Sequence, residues 1–319
     1  MVSGNNNFGV VFMLNRRNFL QLSTLASSAA LLPPVLKQQA FAQSSPLKLQ
    51  ALQPNITLVS GGACNVLVVK AANGELLVVD GGHKQGAKDL RSTIETSTGS
   101  KKFATLINTH WHPEQTGLNE VLGNKSTRIF AHENTREWLS TSVKRLLEDK
   151  VYPPLPELAR PNDVFYNYGD FMHGTSKVEF GYLRQAHTDG DMYVYLPEAN
   201  ILHAGGVISN EGWPLLDWWT GGWMGGLVDG LETLLSVANT GTLIIPANGK
   251  PITRVELQAQ RDMYANIFTT VRNLFQKANT VEQTVAAKPA KAWEAQYGSA
   301  DAFITLAHWS LIPHLTPDA

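Results

Sequence analysis

The chain has 319 residues, 43% apolar and 17% charged, a composition typical of globular proteins that excludes a largely disordered chain. Its 26 Lys and Arg residues are balanced by 27 Asp and Glu residues, which excludes the strongly basic field that favours nucleic acid or anionic lipid. We therefore expect a small molecule, and no nucleic acid, as the partner.

Residues 1–42 have the order of an export signal. Arg16 and Arg17 come first, a mildly apolar run follows at 22–36, and the sequence AFA at 40–42 offers the small-x-small site that a signal peptidase cuts. The arginine pair resembles the signal that the twin-arginine export machinery recognises. A membrane anchor is the alternative, but prolines and a serine-rich stretch leave the run too broken and short for a good span.

Removal of the signal would place a mature chain of residues 43–319 in the periplasm or outside the cell. No later segment is long and apolar enough to span a membrane. Cys64 is the only cysteine, so no intrachain disulfide can form. Because Cys64 lies in an apolar strand segment, we expect a buried inert thiol rather than a metal ligand or nucleophile.

In chain order, the mature part is predicted to open with a β-meander and to continue with alternating helices and strands. Strands are predicted at 56–59, 64–70, 75–80, 103–107 and 129–131, and helices at 85–96 and 135–149. The Asn73-Gly74 pair indicates a hairpin turn within the meander. The loop 108–117 is polar and directly follows a buried strand, which is where α/β folds position chemistry.

The second half is predicted to repeat this order. Strands are predicted at 177–183, 192–196, 201–203 and 242–245, with a helix at 227–238. A long amphipathic helix at about 252–278 follows, and a further helical region begins at about residue 279. No linker separates this tail, so residues 43–319 are predicted to form one domain.

Two histidines in the loop after the strand at 103–107 have metal-ligand spacing. His110 and His112 lie two residues apart in the sequence THWHPEQTG, so both imidazoles can turn toward one point. His187 lies in a second polar loop, AHTDGD, directly after a strand and at the matching place in the second half. Three imidazoles are then available to one ion.

Five segments, taken in order, resemble the metallo-β-lactamase superfamily: VVDGG at 78–82, HWH at 110–112, HT at 187–188, LHAG at 202–205 and IIPANG at 244–249. The resemblance extends over nearly the whole mature chain. It implies an α/β fold, a four-layer αβ/βα sandwich with additional C-terminal helices here. It also implies that metals lie at one edge of the sheets, on loops that follow strands, with ligands from both halves.

The resemblance is complete for one metal site and poor for the other. The family pattern His-x-His-x-Asp-His, the bridging acid and the terminal histidine are changed at four positions, Glu114, Gln115, Gly206 and Asn248. Neutral groups do not offset a second dication, and an amide oxygen is a poor ligand beside imidazole. We therefore expect one ion, Zn²⁺, on the three histidines.

Three neutral imidazoles with an open position form the zinc arrangement that lowers the pKa of bound water to about 7. Glu114 then has two alternatives: it orients or deprotonates the water, or its extra methylene lets it ligate and close the site. The resemblance implies that Asp80 supports the loop from behind the ligands; a turn-forming Asp is the alternative. Asp191 is grouped with Asp80, either behind the ligands or in the degenerate second site.

A glycine-rich segment at 212–226 carries four tryptophans: Trp213, Trp218, Trp219 and Trp223. A mobile aromatic loop fits a lid over an apolar substrate. The alternative is that these rings pack against the C-terminal helices, because core tryptophans are common.

Together these features predict an exported metal-dependent hydrolase that activates water to attack an ester, amide, lactone or thioester carbonyl. The alternative is a non-catalytic zinc-binding or carrier protein of a periplasmic redox or quinoprotein system, motivated by the four changed positions. Fold alone decides little between them, because one fold hosts many chemistries. A water or small anion as the fourth ligand favours the enzyme, and a protein side chain favours the carrier.

Overall fold

The computed structural model of the chain describes residues 46–145 and 148–316, so the predicted export signal and its cleavage site lie outside the described residues. Within them the first half builds one sheet and the second half another. The strands of the first sheet are β1 (Lys48–Gln53), β2 (Ile56–Ser60), β3 (Val66–Lys70), β4 (Glu75–Val79), β5 (Lys102–Ile107), β6 (Arg128–His132) and β9 (Asp163–Phe165), in that spatial order.

The direction of these strands determines where their following loops meet. β1 to β4 form an antiparallel meander, whereas β4, β5, β6 and β9 run parallel. The carboxyl ends of parallel strands lie at the same edge of a sheet, so the loops after β4 and β5 emerge side by side. That edge therefore receives Asp80 from one loop and His110 and His112 from the other.

The second sheet contains β10 (Tyr168–His173), β11 (Ser176–Tyr182), β12 (Met192–Leu196), β13 (Ile201–His203) and β14 (Leu243–Ile245), in chain order. Its first four strands are antiparallel, and β14 pairs parallel to β13. β-branched and aromatic residues alternate inward along β11, where Val178 and Phe180 are buried. The loop after β11 carries His187 toward the edge of the first sheet.

Apolar side chains fill three interfaces between four layers. The two sheets face each other across a core in which Phe130 of β6 contacts Phe180 of β11, with ring centroids 4.7 Å apart. Helix α1 (Ala87–Thr98) covers the outer face of the first sheet with Leu90 and Ile94. Helices cover the outer face of the second sheet, which completes the predicted αβ/βα sandwich.

The helices on the second sheet include the predicted long amphipathic one. They are α4 (Met224–Val237), α5 (Arg254–Gln276), α6 (Val281–Ala286), α7 (Glu294–Tyr297) and α8 (Asp301–Leu315), whereas α2 (Asn119–Leu122) and α3 (Glu133–Leu139) belong to the first half. Thr253 and Glu256 form a capping box that satisfies the first backbone N–H groups of α5. Phe303 of α8 shares one apolar cluster with Tyr264 of α5, so the tail packs on the same core.

The predicted helix at 135–149 is confirmed as far as Leu139 and is wrong beyond it. The helix α3 ends at Leu139, and the chain continues into β7 (Val143–Arg145), which pairs antiparallel with β8 (Lys150–Tyr152). Val143 and Arg145 are buried while the residue between them is exposed, a period of two that belongs to a strand. The spacing of the apolar residues alone indicated a helix. It did not include Arg145, whose inward orientation completes the strand pattern.

No helix among the residues that the structure describes combines the length and the apolar character needed to cross a membrane.

Candidate metal centre

Three buried imidazoles converge at the edge of the two sheets. His110, His112 and His187 are 1%, 3% and 3% exposed, and one ring nitrogen from each lies within 4.8 Å of the others. Their ring centroids are 4.4 to 4.8 Å apart in three edge-to-face pairs. We call these residues the histidine triad. The sequence-predicted ligands are therefore brought together by the fold.

Hydrogen bonds between the two halves and within the first half hold the loop that carries His110 and His112. The backbone N–H of Met192 donates to the carbonyl of Thr109 at 2.9 Å, which ties β12 to the loop after β5. Asn108 and Asn119 exchange side-chain amide hydrogen bonds at 2.9 and 2.8 Å inside the core. The loop that carries His110 and His112 is thus fixed on both sides by buried polar contacts.

Asp191 fixes the ring of His187. Its Oδ1 lies 2.7 Å from Nδ1 of His187, and its Oδ2 accepts hydrogen bonds from the backbone N–H groups of His187 and Thr188 at 2.6 and 2.7 Å. A carboxylate can only accept here, so the imidazole proton resides on Nδ1 and Nε2 is left as the ligand atom. Asp191 therefore lies behind a candidate ligand, and both of its oxygens are engaged by His187 and Thr188.

Asp80 supports His110 through Thr109. The Asp80 carboxylate accepts from the backbone N–H and the hydroxyl of Thr109, both at 2.9 Å, and the Thr109 Oγ1 lies 3.0 Å from Nδ1 of His110. Because the hydroxyl proton goes to Asp80, Oγ1 accepts the Nδ1 proton and Nε2 faces the site. Burial raises the pKa of Asp80, and the two hydrogen bonds from Thr109, which favour the carboxylate form, oppose that rise.

Asp80 also has a positive φ of 65°, so the two roles considered for it, turn formation and ligand support, coexist in one residue.

Asp217 supports His112, and the sequence did not reveal it. Its Oδ2 lies 3.0 Å from Nε2 of His112 and accepts the hydroxyl proton of Thr220 at 2.7 Å, while Trp111 Nε1 donates to the same hydroxyl at 3.1 Å. This contact leaves Nδ1 of His112 as the ligand atom. The two residues are 105 positions apart, and an Asp among tryptophans and glycines carries no ligand-support motif.

Burial keeps two of the imidazoles in the form that binds metals. It lowers the pKa of His110 and His112 well below the usual value, and for His112 the nearby Arg145 guanidinium lowers it further. Both rings are therefore neutral at neutral pH. A neutral imidazole has the lone pair that a metal ion requires.

Four residues occupy the positions where the family resemblance places second-metal ligands, and we call Glu114, Gln115, Gly206 and Asn248 the substituted positions. The Glu114 carboxylate accepts from Nη1 of Arg145 through both oxygens, at 2.8 and 3.0 Å. Glu114 is not a member of the converging group of ligand atoms found among the described residues. The sequence predicts that Glu114 either acts on water or ligates the ion, and it does not predict this arginine partner.

The other three substituted positions offer no charged side chain to an ion. A Cβ at Gly206 would lie 2.1 Å from Cε1 and 2.5 Å from Nε2 of His187, so no side chain fits without moving the triad. With its amide oriented to satisfy its neighbours, Asn248 donates to the carbonyl of Ala63 at 2.8 Å. Gln115 is buried, and its Oε1 has no hydrogen-bond partner among the described residues.

The triad and the substituted positions line one cavity of about 680 Å³. Other lining residues are His83, Arg145, Glu211, Trp213, Leu215 and Tyr297. Polar groups converge at the triad, and apolar groups line the wall formed by the segment after Glu211. A cavity of this size and lining accommodates a small organic molecule.

The tryptophan-rich segment packs mainly on the C-terminal helices. Three rings contact α8 with ring centroids 5.0, 6.1 and 4.1 Å apart: Trp213 on Phe303, Trp218 on Trp309 and Trp223 on His314. Trp219 contacts Trp218 at 5.6 Å. The packing alternative therefore describes this segment, with Trp213 also lining the cavity. Movement of the segment as a lid stays a prediction.

The fold and the site define a four-layer αβ/βα protein with a buried three-histidine site at the edge of its sheets. The family model described as "Metallo-beta-lactamase superfamily" matches residues 59–259, and the chain belongs to this superfamily.

Solved structures share this fold at low sequence identity. A metallo-beta-lactamase from Pontibacter korlensis is 16% identical with a TM-score of 0.56, covering 69% of this chain and 99% of that one. The metallo-beta-lactamase DIM-1 is 21% identical with a TM-score of 0.53, covering 69% and 97%. A stereoselective inverting sec-alkylsulfatase from Pseudomonas sp. is 16% identical with a TM-score of 0.66, covering 84% of this chain and 50% of that one.

Proposed function

We propose that this protein is an exported zinc-dependent hydrolase that holds one ion on His110, His112 and His187 and hydrolyses an ester, amide, lactone or thioester. The observation that carries the proposal is the convergence of three buried imidazoles at the end of a ligand-sized cavity. Three neutral nitrogen donors are the ligand set of mononuclear catalytic zinc. Membership of the metallo-beta-lactamase superfamily is in keeping with this assignment.

The residues present fit a zinc ion, because each imidazole is oriented from behind. Asp191, Thr109 and Asp217 each contact the ring nitrogen that is not needed for binding. Such outer contacts fix the tautomer and the direction of the lone pair. The substituted positions support a single ion, since the Glu114 carboxylate has an arginine partner and Gly206 has no room for a ligand.

A zinc ion bound by the triad would supply a Lewis acid that lowers the pKa of water to about 7. Glu114 faces the same cavity, and each of its oxygens keeps a lone pair after bonding Arg145, so it can accept the proton of an attacking water. Trp213 and Leu215 provide the apolar wall that excludes bulk water from the acyl part of a substrate.

A non-catalytic zinc-binding or carrier protein of a periplasmic redox or quinoprotein system is the second candidate. The observation that favours it is the engagement of both Glu114 oxygens by Arg145, because the guanidinium competes with the proton of a water molecule for those oxygens. In that case the triad would bind zinc without turnover.

The two candidates separate in measurements on the purified mature protein. Elemental analysis is expected to give close to one zinc per chain, and two tightly held metals would contradict the mononuclear proposal. Hydrolysis is then measured on nitrophenyl acetate, a thioester and a lactone, with a nitrophenyl sulfate added because of the structural likeness to an alkylsulfatase. Turnover that disappears in His187→Ala supports the hydrolase; bound zinc without turnover in the panel favours the carrier.

Export rests on Arg16 and Arg17 and on the AFA sequence at residues 40–42. Changing both arginines to lysine is expected to leave uncleaved precursor in the cytoplasm, measured by fractionation and immunoblotting. Unimpaired export of this double variant, in cells where the general secretory route is not open to it, contradicts the twin-arginine assignment.

A further inference from the structure

The Glu114 side chain is part of a buried cluster of one cation and two anions beside the triad. Arg145 Nη1 contacts both oxygens of Glu114, and Arg145 Nε lies 2.7 Å from Oε1 of Glu148. The Arg145 side chain is 5% exposed, and each carboxylate side chain is 14% exposed. Tyr152 donates its hydroxyl proton to the other oxygen of Glu148 at 2.6 Å. Glu114 and Arg145 of this cluster line the cavity that the triad also lines.

The hairpin of β7 and β8 places Arg145 in the lining of that cavity. Val143, two residues before Arg145, packs in one small apolar cluster with Leu139 and Trp111. Trp111 is the residue between the ligands His110 and His112, so the hairpin is fixed directly to the metal-binding loop. The packing of the hairpin therefore holds the Arg145 guanidinium at a defined distance from the triad.

Charge balance explains what the guanidinium does for Glu114. A largely buried carboxylate requires a compensating cation, and two candidates would compete for Glu114: a dication on the triad and the Arg145 side chain. Arginine offers several N–H donors in a rigid planar group and remains charged when buried. The surrounding Glu114 and Glu148 carboxylates raise the pKa of Arg145 above its usual value, in spite of the opposing effect of burial.

We propose that Arg145 is a positioning residue that holds Glu114 outside the ligand set of the metal ion, which leaves the ion an exchangeable coordination position. This inference rests on the proposed mononuclear site. It explains why no protein side chain takes the fourth coordination position of the ion. Glu114 lies two residues after His112 in a turn closed by the Gln115 N–H to the His112 carbonyl at 3.0 Å. Without Arg145, the attraction of a bound dication would draw the carboxylate into its coordination shell.

Cobalt(II) substitution tests this inference, because the intensity of cobalt visible absorption reports coordination number and ligand type. Four proteins are compared: wild type, Glu114→Gln, Arg145→Gln and the double variant. Wild type and Glu114→Gln are expected to give the same spectrum. Arg145→Gln is expected to give a shifted spectrum and to bind zinc about tenfold more tightly in a chelator competition, the size of effect that residues around metal ligands produce. The double variant is expected to return to the wild-type spectrum.

Recovery in the double variant is a result that a general folding defect does not produce. Arg91→Gln is the matched control, because Arg91 forms an ion pair with Glu95 on α1 and does not line the cavity. If Arg145→Gln does not fold, Arg145→Lys keeps the buried charge but loses the planar donor group, and a smaller shift in the same direction is expected.

Four results overturn the inference. A wild-type spectrum in Arg145→Gln shows that Glu114 is not released, and a shift that persists in the double variant shows that Glu114 is not its cause. A change in Glu114→Gln alone shows that Glu114 already binds the ion. A wild-type protein that takes up neither cobalt nor zinc contradicts the metal site itself, and with it this inference, whereas normal uptake with four identical spectra contradicts the inference alone.

Discussion

The histidine triad and the substituted positions line the same cavity but are built differently. Behind His187, His110 and His112, hydrogen-bond partners orient the rings so that one nitrogen of each points into the cavity. At two of the substituted positions the polar groups are turned toward the protein, since Glu114 contacts Arg145 and Asn248 contacts Ala63.

The comparison shows that ligand identity alone does not make a metal site. A carboxylate at Glu114 would be an acceptable ligand by its chemistry, yet its oxygens are held by a guanidinium. The outer partners decide which groups are presented to an ion and which are withdrawn. Substitutions at the two regions should therefore have very different effects on metal binding, and the following experiments are ordered by the size of the expected effect.

The largest effect is expected from His187→Ala. Two remaining imidazoles rarely make a closed zinc site, so zinc affinity should fall by more than the roughly hundredfold loss that outer substitutions cause. Isothermal titration or chelator competition measures this. His83→Ala is the control, because His83 lines the cavity outside the triad and should leave zinc affinity unchanged. Tight binding that survives in His187→Ala would mean that the site lies elsewhere.

Glu114→Gln should separate turnover from metal content. If Glu114 accepts a proton from water, turnover should fall by about a hundredfold or more while zinc content stays near one per chain. The amide keeps the shape of the side chain but not its basicity. Kinetics on the most active ester of the panel and elemental analysis of the same sample provide the two readouts. Loss of zinc together with activity would identify Glu114 as a ligand.

Gly206→Ala should weaken zinc binding although Gly206 supplies no ligand. The added Cβ would meet His187 at 2.1 Å and His110 at 2.8 Å, so both rings must move. We expect a loss in affinity of about 10- to 100-fold, similar to that of other substitutions around metal ligands. Gly86→Ala is the matched control, because Gly86 lines the same cavity and its Cβ would meet nothing within 4 Å. Equal affinities in the two variants would refute the steric argument.

Asp217→Asn should cost about tenfold in zinc affinity, because the amide is a weaker acceptor for the Nε2 proton of His112. Asp229→Asn, on the exposed face of α4, is the control that changes charge without touching the site. If both variants bind zinc as wild type does, the contact between Asp217 and His112 does not orient the ligand.

The smallest effect is expected from Asn248→Ala. The substitution removes the hydrogen bond to Ala63 and should lower the free energy of unfolding by about 1 kcal/mol, with no change in zinc affinity. Denaturant unfolding and metal titration on the same protein test both parts. A marked loss of zinc would place Asn248 among the ligands and contradict the distinction between the two regions.

Much of the architecture could be predicted from local patterns. Alternating β-branched segments indicated most strands of both sheets, and the 3.6-residue period indicated α1, α4 and α5. The strands β1, β9 and β10 and the hairpin of β7 and β8 were not predicted, because largely exposed or charged segments show little hydrophobic periodicity. The hairpin was interpreted as helix, because the apolar residues of 135–149 have helical spacing in the sequence.

The sequence by itself determined the histidine triad, since the spacing of His110 and His112 and the family order of the segments pointed to the same residues. Only the tertiary structure revealed Asp217 and Arg145, which contact residues 105 and 31 positions away, and the steric reason for Gly206. The physical reason is that periodicity and motifs record which face of an element is buried. The partner of a buried charge depends on how separate elements pack, and no local pattern encodes that.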